Sequence, residues 1–200
     1  MNKLKKMSGK SPQNRSSHIK NYEYHYVDLP FEDVLREYRK RNMLEIIKKN
    51  PHRNFLEIGC GPSPMFMNFS DFDKMIVVEP VKMFFKMAKK LASLNHKIII
   101  INDFIENIKN KLKKENFDFI VIGGFLHEID NPDLVLQIVR TISSPDTIIY
   151  SFVPNAKSFH RLLAYEMGII DSIYKKSGHD ELFQRKNVFD IDTYNKLLTS

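Results

Sequence analysis

The sequence predicts an α/β fold in which a doubly wound, mostly parallel sheet carries helices on both faces. Two observations support this fold class: five short apolar runs occur along the chain, and segments of helical periodicity alternate with them. Continuous apolar strands of this kind are typical of parallel sheets whose two faces are covered by helices. The predicted strands are residues 55–58, 75–78, 97–101, 117–122 and 147–153.

The helices are indicated by the spacing of their apolar residues and by the residues at their ends. A first helix over residues 31–49 has acids in its first turn and lysines in its last, which complements the helix dipole, and Pro51 ends it. Ligands of such sheets bind at the carboxyl ends of the strands, so the residues that follow each strand are the candidates for function. The later helices are predicted over residues 81–94, 104–114, 132–142 and 192–198.

Composition and charge narrow the class of protein. The 200 residues suit a single domain, and six of the seven net positive charges lie in residues 1–20, which contain no acid. Low hydrophobicity predicts that this segment is a disordered basic tail, or else an arm that attracts an acidic partner. The single cysteine, Cys60, excludes a disulfide framework and a multi-cysteine metal site, and no metal is expected. No apolar run is long enough to cross a bilayer and no export signal is recognisable, so we expect a cytoplasmic location.

The loop after the first strand contains the first candidate motif. Gly59 and Gly61 allow a tight turn and a close approach of the backbone to a ligand. A dinucleotide fingerprint needs a third glycine where Pro64 stands, which disfavours NAD. Glu57, two residues before the first glycine, suits a ligand that carries an ammonium group.

Acids follow the second and third strands. Glu79 can accept hydrogen bonds from both hydroxyls of a ribose, although a solvated carboxylate at a strand end is the alternative. Asp103 can accept the amino hydrogen of an adenine while Phe104 packs on the ring, or it can cap the next helix. Both functions of Asp103 are compatible with each other.

The loop after the fourth strand has paired glycines and a histidine, in the run Gly123-Gly124-Phe125-Leu126-His127-Glu128. Paired glycines let the chain pass close to a bound molecule. His127 can face that molecule or act as a base, or it can be a structural histidine bonded to backbone.

In this order and spacing, the motifs after the four strands resemble those of class I, Rossmann-like S-adenosylmethionine-dependent methyltransferases of the small-molecule type, over residues 40–155. The resemblance implies S-adenosylmethionine as cofactor and S-adenosylhomocysteine as product. One departure is Ser63, which stands where the family has its third glycine. The implied cofactor-binding residues are Glu57, Gly59, Cys60, Gly61, Glu79, Pro80, Asp103, Phe104, Gly124 and Phe125.

A second resemblance lies in residues 153–161, 167–168 and 188–190, which are similar to a subgroup of bacterial methyltransferases that often act on cell-surface polysaccharides or secondary metabolites. It implies that Asn155, His160 and Arg161 line the acceptor pocket, with Arg161 suited to an anionic acceptor. The alternative for His160 and Arg161 is an exposed polar helix face. An aromatic cluster before the first helix, which includes Tyr26, can close over the pocket or can simply pack on the surface.

The family fold adds two strands after its last helix, whereas this sequence ends at Ser200, directly after the helix predicted over 192–198. Either the last two strands are missing because the chain is truncated, or the sheet is completed in another way. The expected organisation is a tail over 1–20, a helical cap over 21–50 and a methyltransferase domain over 51–200.

Taken with these motifs, the two resemblances imply O-methylation of a small molecule or of a capsule-type polysaccharide precursor, at a sugar or phosphoryl-type oxygen. His127 and His160 are the candidate catalytic bases, and Asn155, Arg161 and Tyr26 are the candidate acceptor ligands. We expect His160→Ala to lower turnover without changing cofactor affinity. A nucleic-acid methyltransferase is disfavoured because no Pro-Pro-aromatic signature follows the fourth strand, and a non-catalytic binding module is the other alternative. We expect a monomer or a homodimer.

Overall fold

The protein is described by a computed structural model that covers residues 32–183 and 185–199. Its strands are β1 (Asn54–Ile58), β2 (Lys74–Val78), β3 (Ile98–Ile101), β4 (Phe119–Ile122) and β5 (Ile148–Ser151). Its helices are α1 (Glu32–Lys48), α2 (Lys82–Leu91), α3 (Ile105–Leu112), α4 (Pro132–Ile142), α5 (Phe159–Glu166), α6 (Gly178–Leu182) and α7 (Ile191–Thr199), with a short 3-10 turn at Met65–Met67.

The five strands form one parallel sheet in the order β3-β2-β1-β4-β5. Glu57, near the end of the central strand β1, is in register with Val77 of β2 and Val121 of β4. Because the strand order reverses between β1 and β4, the loops that leave these two strands diverge and open a crevice at the carboxyl edge of the sheet. The fold places the loops after β1 and β4 on either side of that crevice.

The residues of the central strands are buried on both faces of the sheet, and they separate two hydrophobic clusters. Leu56 and Ile58 of β1 belong to the cluster that contains residues of α3 and α4, while Phe55 belongs to the cluster that contains residues of α1 and α2. Alternate residues of one strand therefore point to opposite faces, as the period of two requires. This arrangement confirms the doubly wound fold with helices on both faces.

The predicted elements lie close to the observed ones. The five strands and the helices over 81–94, 104–114, 132–142 and 192–198 all form. More than half of these elements are shorter than predicted. Within residues 152–183 and 185–199, the chain forms helices and loops and only an isolated bridge between Asn155 and Phe189.

Parts of the predicted organisation lie outside the described residues. The tail over 1–20 and Tyr26 with its aromatic cluster fall in this part of the chain. The cap predicted over 21–50 is described from Glu32, where α1 begins. In the ranges 32–183 and 185–199, none of the helices has the length and apolar character needed to span a bilayer.

Candidate active site

A cavity of about 820 Å³ opens at the carboxyl edge of the sheet. The loops after β1, β2, β4 and β5 line it, together with α1 on one side and the segment around α6 on the other. Its volume lies in the upper part of the range that small-molecule and cofactor sites occupy. The residues around this cavity are therefore the candidates for cofactor and acceptor binding.

The loops after β1 and β4 approach each other closely because both contain glycine. Gly59 adopts φ 75°, a left-handed conformation, and a Cβ atom there would lie 2.9 Å from the ring of Phe125. A Cβ atom on Gly123 would overlap the carbonyl oxygen of Gly59. The backbone of the two loops therefore forms the floor of the cavity, and no larger side chain fits at these two positions.

Glu57 is a buried carboxylate at the end of β1. Only 4% of the residue is exposed, and the carboxylate accepts a hydrogen bond from the backbone N–H of Met65, with N···O distances of 3.0 and 3.2 Å to its two oxygens. Burial raises the pKa of Glu57 to about 8. A carboxylate in this setting is stabilised in its ionised form by a cation, such as the ammonium group that the sequence predicts here.

Glu79 links the end of β2 to the glycine loop. Its Oε2 accepts a hydrogen bond of 2.9 Å from the N–H of Gly61, and its Oε1 accepts one of 2.8 Å from the N–H of Val81. The Cys60 thiol lies 3.6 Å from Oε2. Burial raises the pKa of Glu79, although these hydrogen bonds oppose the rise, and burial also raises the pKa of Cys60. The side chain therefore fixes the loop while lining the cavity.

Asn102 supports this strand end in a way that the sequence did not predict. Its side-chain amide donates to the carbonyl oxygens of Glu79, at 2.8 Å, and of Pro80, at 3.1 Å. The sequence shows an asparagine directly after a strand, but the direction of the Asn102 side chain depends on how β2 and β3 pair.

The structure separates the two residues predicted to contact an adenine. Phe104 lines the cavity, whereas Asp103 is not among the lining residues. Oδ1 of Asp103 lies 2.6 Å from the side-chain nitrogen of Asn107 and 2.8 Å from the N–H of Phe104. These contacts hold the start of α3, so an adenine contact by Asp103 stays a prediction.

His127 lies in the loop after β4, together with Gly124 and Phe125, and all three line the cavity. The histidine is 5% exposed, and neither of its ring nitrogens has a hydrogen-bond partner among the described residues. Burial lowers its pKa to about 3; the charges of Arg185 and Arg39 act in the same direction, and that of Asp180 opposes them. The imidazole is therefore neutral at neutral pH, with one donor and one acceptor nitrogen.

A chain of polar contacts runs from this histidine to α5, and the contacts beyond the neutral imidazole are ion pairs. Nε2 of His127 lies 3.6 Å from Glu128, whose carboxylate lies 3.9 Å from Arg185. Arg185 in turn pairs with Asp180 at 3.1 Å, and Asp180 lies 3.6 Å from Arg161. The chain connects the loop after β4 to α6 and α5, so it holds the segments that close one side of the cavity.

The guanidinium of Arg161 is hydrogen-bonded to backbone within the protein. Its Nε donates to the carbonyl oxygen of Ile173 at 2.8 Å, and its guanidinium also donates to the carbonyl of Lys175. The side chain lines the cavity and is 15% exposed. Through these contacts, Arg161 holds the segment before α6 against α5.

The other predicted acceptor residues lie around the rim. Asn155 lines the cavity, but its Oδ1 accepts a hydrogen bond of 2.9 Å from the N–H of Lys157. His160, in the first turn of α5, is exposed and also lines the cavity. Tyr26 lies outside the described residues.

Sequence reasoning missed the contribution of α1. Arg36, Arg39 and Lys40 of this helix line the cavity, and the guanidinium carbon of Arg39 lies 5.3 Å from the ring centroid of Phe152. The basic residues of α1 were visible in the sequence, but their side of the helix faces the cavity only because Met43 and Ile47 anchor the helix on the core. Within 32–183 and 185–199, no group of three metal-ligating side chains is arranged to hold a metal ion.

The sequence profile of a methyltransferase-domain family matches residues 31–199, which is most of the chain. Among curated proteins, none matches this sequence.

Several solved structures share the fold. The plantazolicin methyltransferase BpumL, in complex with S-adenosylhomocysteine, is 20% identical, and the match covers 95% of this chain and 70% of that one, with a TM-score of 0.58. The N-methyltransferase NodS from Bradyrhizobium japonicum is 13% identical, with coverages of 85% and 84% and a TM-score of 0.56. A possible histamine N-methyltransferase from Thermotoga maritima is 17% identical, with coverages of 91% and 79% and a TM-score of 0.62. The chain therefore belongs to the methyltransferase-domain family and is a class I, Rossmann-like, S-adenosylmethionine-dependent methyltransferase.

Proposed function

We propose that this methyltransferase methylates an oxygen atom of a small-molecule acceptor, of hydroxyl or phosphoryl type, such as a sugar or a precursor of a bacterial surface polysaccharide. The observation that carries the proposal is the cavity of about 820 Å³, which brings the acids of β1 and β2 together with His127. One half of this cavity suits the methyl donor and the other half suits an acceptor.

The donor half fits S-adenosylmethionine. Glu57 and Glu79 are buried acids whose pKa values burial raises, so a cation or a hydrogen-bond donor in the cavity would stabilise the ionised form of both. In the proposal, Glu79 accepts the ribose hydroxyls and Glu57 faces the ammonium group, while Gly59 and Gly61 let the backbone approach the ligand. When bound, S-adenosylmethionine supplies an already activated methyl group.

The rest of the predicted donor site extends from these two acids. In the proposal, Pro80 and Phe104 enclose the adenine ring, and Gly124 and Phe125 border the methionine part. Pro80, Phe104, Gly124 and Phe125 all line the cavity, which supports this assignment. Cys60 contributes its backbone to the loop, and Asp103 contributes by holding the start of α3.

His127 is the residue proposed to orient the acceptor. It is buried, neutral at neutral pH, and without a hydrogen-bond partner among the described residues, so an acceptor hydroxyl can bond to its ring. A pKa of about 3 makes the ring a weak base. His127 therefore contributes mainly by holding the oxygen in line with the methyl group, and a phosphoryl oxygen, which is already anionic, has no proton to lose.

Asn155, His160 and Arg161 complete the proposed acceptor half. His160 is exposed at the rim, where it can contact an acceptor or receive its proton. Arg161 and Asn155 are bonded within the protein, and we propose that they shape the pocket by holding the segments around α5.

Methyl transfer from isotopically labelled S-adenosylmethionine to a panel of sugars, sugar phosphates, simple alcohols, amines and oligonucleotides tests this function. We expect label in a sugar or sugar phosphate, at an oxygen atom identified by mass spectrometry. Label only at nitrogen would replace the proposal with N-methylation, the reaction named for NodS. Cofactor binding without transfer to any acceptor would support a non-catalytic module, and transfer to oligonucleotides alone would support a nucleic-acid methyltransferase.

A further inference from the structure

We propose that the acceptor carries an oxyanion, a carboxylate or a phosphoryl group, and that Arg39 of α1 binds it above the ring of Phe152 and beside His127. This inference rests on the proposed function, because it names the chemical class of acceptor for the same cavity. It also assigns anion recognition to a helix other than α5, where the sequence placed it.

The position of Arg39 is the first step. Its guanidinium carbon lies 5.3 Å from the centroid of the Phe152 ring, and its Nε donates to the carbonyl oxygen of Leu35 at 3.1 Å. The guanidinium therefore lies over an aromatic face, at a distance that suits a cation–π contact. A planar guanidinium presents its donors as a fork that matches the two oxygens of a carboxylate or phosphoryl group.

Phe152 ties this cation to the rest of the site. Its ring packs so closely on Gly124 that a Cβ atom at that position would overlap it. Gly124 belongs to the same loop as His127, and all of these residues line the cavity. The aromatic ring therefore lies between α1 and the loop after β4, where it offers an apolar surface to the body of an acceptor.

His127 provides the second, independent observation. The residue is 5% exposed, it lines the cavity, and both of its ring nitrogens are without a hydrogen-bond partner among the described residues. A buried polar group in this state is stabilised by a ligand that bonds to it. An oxyanion can accept the N–H of the neutral imidazole while it also faces the guanidinium.

The charges around His127 are of both signs: Asp180 raises its pKa, and the carboxylate of Glu128 lies 3.6 Å from its Nε2. The charge of Arg39 acts together with burial and Arg185 to lower the pKa of His127, and it offsets part of the rise in the pKa of Tyr150 that burial causes. Arg39 therefore influences groups at the ends of both β4 and β5. An anion placed between these strand ends lies within reach of the charge of Arg39.

On the side of the cavity around α6, the acidic and basic side chains pair with one another. Asp180 accepts hydrogen bonds from the backbone N–H and the hydroxyl of Ser177, both at 2.8 Å, and pairs with Arg185 and Arg161. Glu128 lies 3.9 Å from Arg185. Arg161 is also bonded to carbonyl oxygens before α6, so its guanidinium holds that segment in place.

The test compares probes that differ mainly in charge. The full chain is saturated with S-adenosylhomocysteine and titrated with benzoate, phenyl phosphate, benzamide and benzyl alcohol, with binding followed by amide chemical shifts. The variants are Arg39→Gln and Arg39→Lys. The control is Arg53→Gln, which removes an exposed cation that pairs with Asp71 at the start of β1, at the opposite edge of the sheet.

We expect the wild-type protein and Arg53→Gln to bind the two anions at least about tenfold more tightly than the neutral probes. Arg39→Gln should abolish this preference, Arg39→Lys should retain part of it, and all variants should bind S-adenosylhomocysteine with affinities within about twofold of each other. Equal affinity for charged and neutral probes, or an unchanged preference in Arg39→Gln, would overturn the inference and leave the proposed function standing. Loss of S-adenosylhomocysteine binding in the wild-type protein would overturn both.

Discussion

The carboxylate of Glu79 bonds to the backbone N–H of Gly61 at 2.9 Å and so joins the end of β2 to the glycine loop that leaves β1. The other carboxylate oxygen bonds to the N–H of Val81, at 2.8 Å. One buried side chain thus sets the shape of the loop and presents an acid to the cavity. The stability of the loop and the chemistry of the proposed cofactor site therefore depend on the same group.

The close contact between the loops after β1 and β4 predicts that Gly123→Ala is strongly destabilising. The new Cβ atom would overlap the carbonyl oxygen of Gly59, and backbone cannot move aside as a side chain can. We expect the free energy of unfolding to fall by more than about 2 kcal/mol in urea denaturation. Gly178→Ala is the control, because a Cβ atom at that position would have no neighbour within 4 Å among the described residues. Similar stabilities of the two variants would contradict this packing.

Burial of Glu57 predicts that the free energy of unfolding falls as the pH rises from about 6.5 to about 8. The pKa of about 8 in the folded protein lies above the ordinary value of 4.5, so the folded state keeps a proton that the unfolded state has released. The slope from one such group is at most about 1.4 kcal/mol per pH unit, and Glu79 acts in the same direction. Below about pH 6.5, His127 opposes this trend, because its lowered pKa keeps it neutral in the folded state while the unfolded state takes up a proton.

Urea denaturation at several pH values between these limits measures the slope. Glu57→Gln should flatten it, while Glu115→Gln, which removes an acid that pairs with Lys74 outside the cavity, should leave it unchanged. A slope that is the same in Glu57→Gln and in the wild-type protein would show that Glu57 is already ionised without a ligand.

The buried position of His127 predicts that it matters more for turnover than His160. His127→Asn should lower kcat by at least about tenfold, because it removes the ring proposed to hold the acceptor oxygen. His160→Ala, at the exposed rim, should lower kcat less. Steady-state kinetics with the best acceptor from the panel measure both effects, and calorimetry should show unchanged affinity for S-adenosylhomocysteine. A larger loss in His160→Ala would exchange the two assignments.

The ion pairs around α6 predict a structural effect of Asp180. Asp180→Ala leaves Arg161 and Arg185 without the acid that both contact, and we expect the free energy of unfolding to fall by about 3–5 kcal/mol. Asp171→Ala breaks an exposed pair with Lys175 and should change it by less than about 1 kcal/mol. Thermal and urea unfolding measure the stability of both variants. A loss in Asp180→Ala as small as that in Asp171→Ala would show that the chain of ion pairs contributes little to stability.

The positions of the residues proposed for the donor half could be predicted from the sequence because they depend on local order along the chain. Glu57, Gly59, Gly61 and Glu79 each stand at or directly after a strand, and parallel strands bring their carboxyl ends to one edge. The apolar strands themselves were recognisable for the same reason. Glu57, Gly59, Gly61 and Glu79 line the cavity, whereas Asp103, which also follows a strand, does not.

The contacts of the residues proposed for the acceptor half could not be predicted in this way because they join distant segments. Arg161 has the right type and place for an acceptor ligand, but its direction is decided by the carbonyl oxygens of Ile173 and Lys175. Arg39 lies over Phe152 only because the folded chain brings α1 close to the residue that follows β5. No spacing within the sequence indicates either contact.

The central claim is that Glu79 and the glycine loop together bind the adenosyl group, and calorimetry with S-adenosylhomocysteine tests it most directly. Removing a charged acceptor of ribose hydroxyls should weaken binding by about tenfold to a hundredfold in Glu79→Ala, while Glu115→Ala, as the control, should bind like the wild-type protein. The circular dichroism spectra of the two variants should match that of the wild-type protein, so that the loss reflects the site. Equal affinity in Glu79→Ala and in the wild-type protein would contradict the claim.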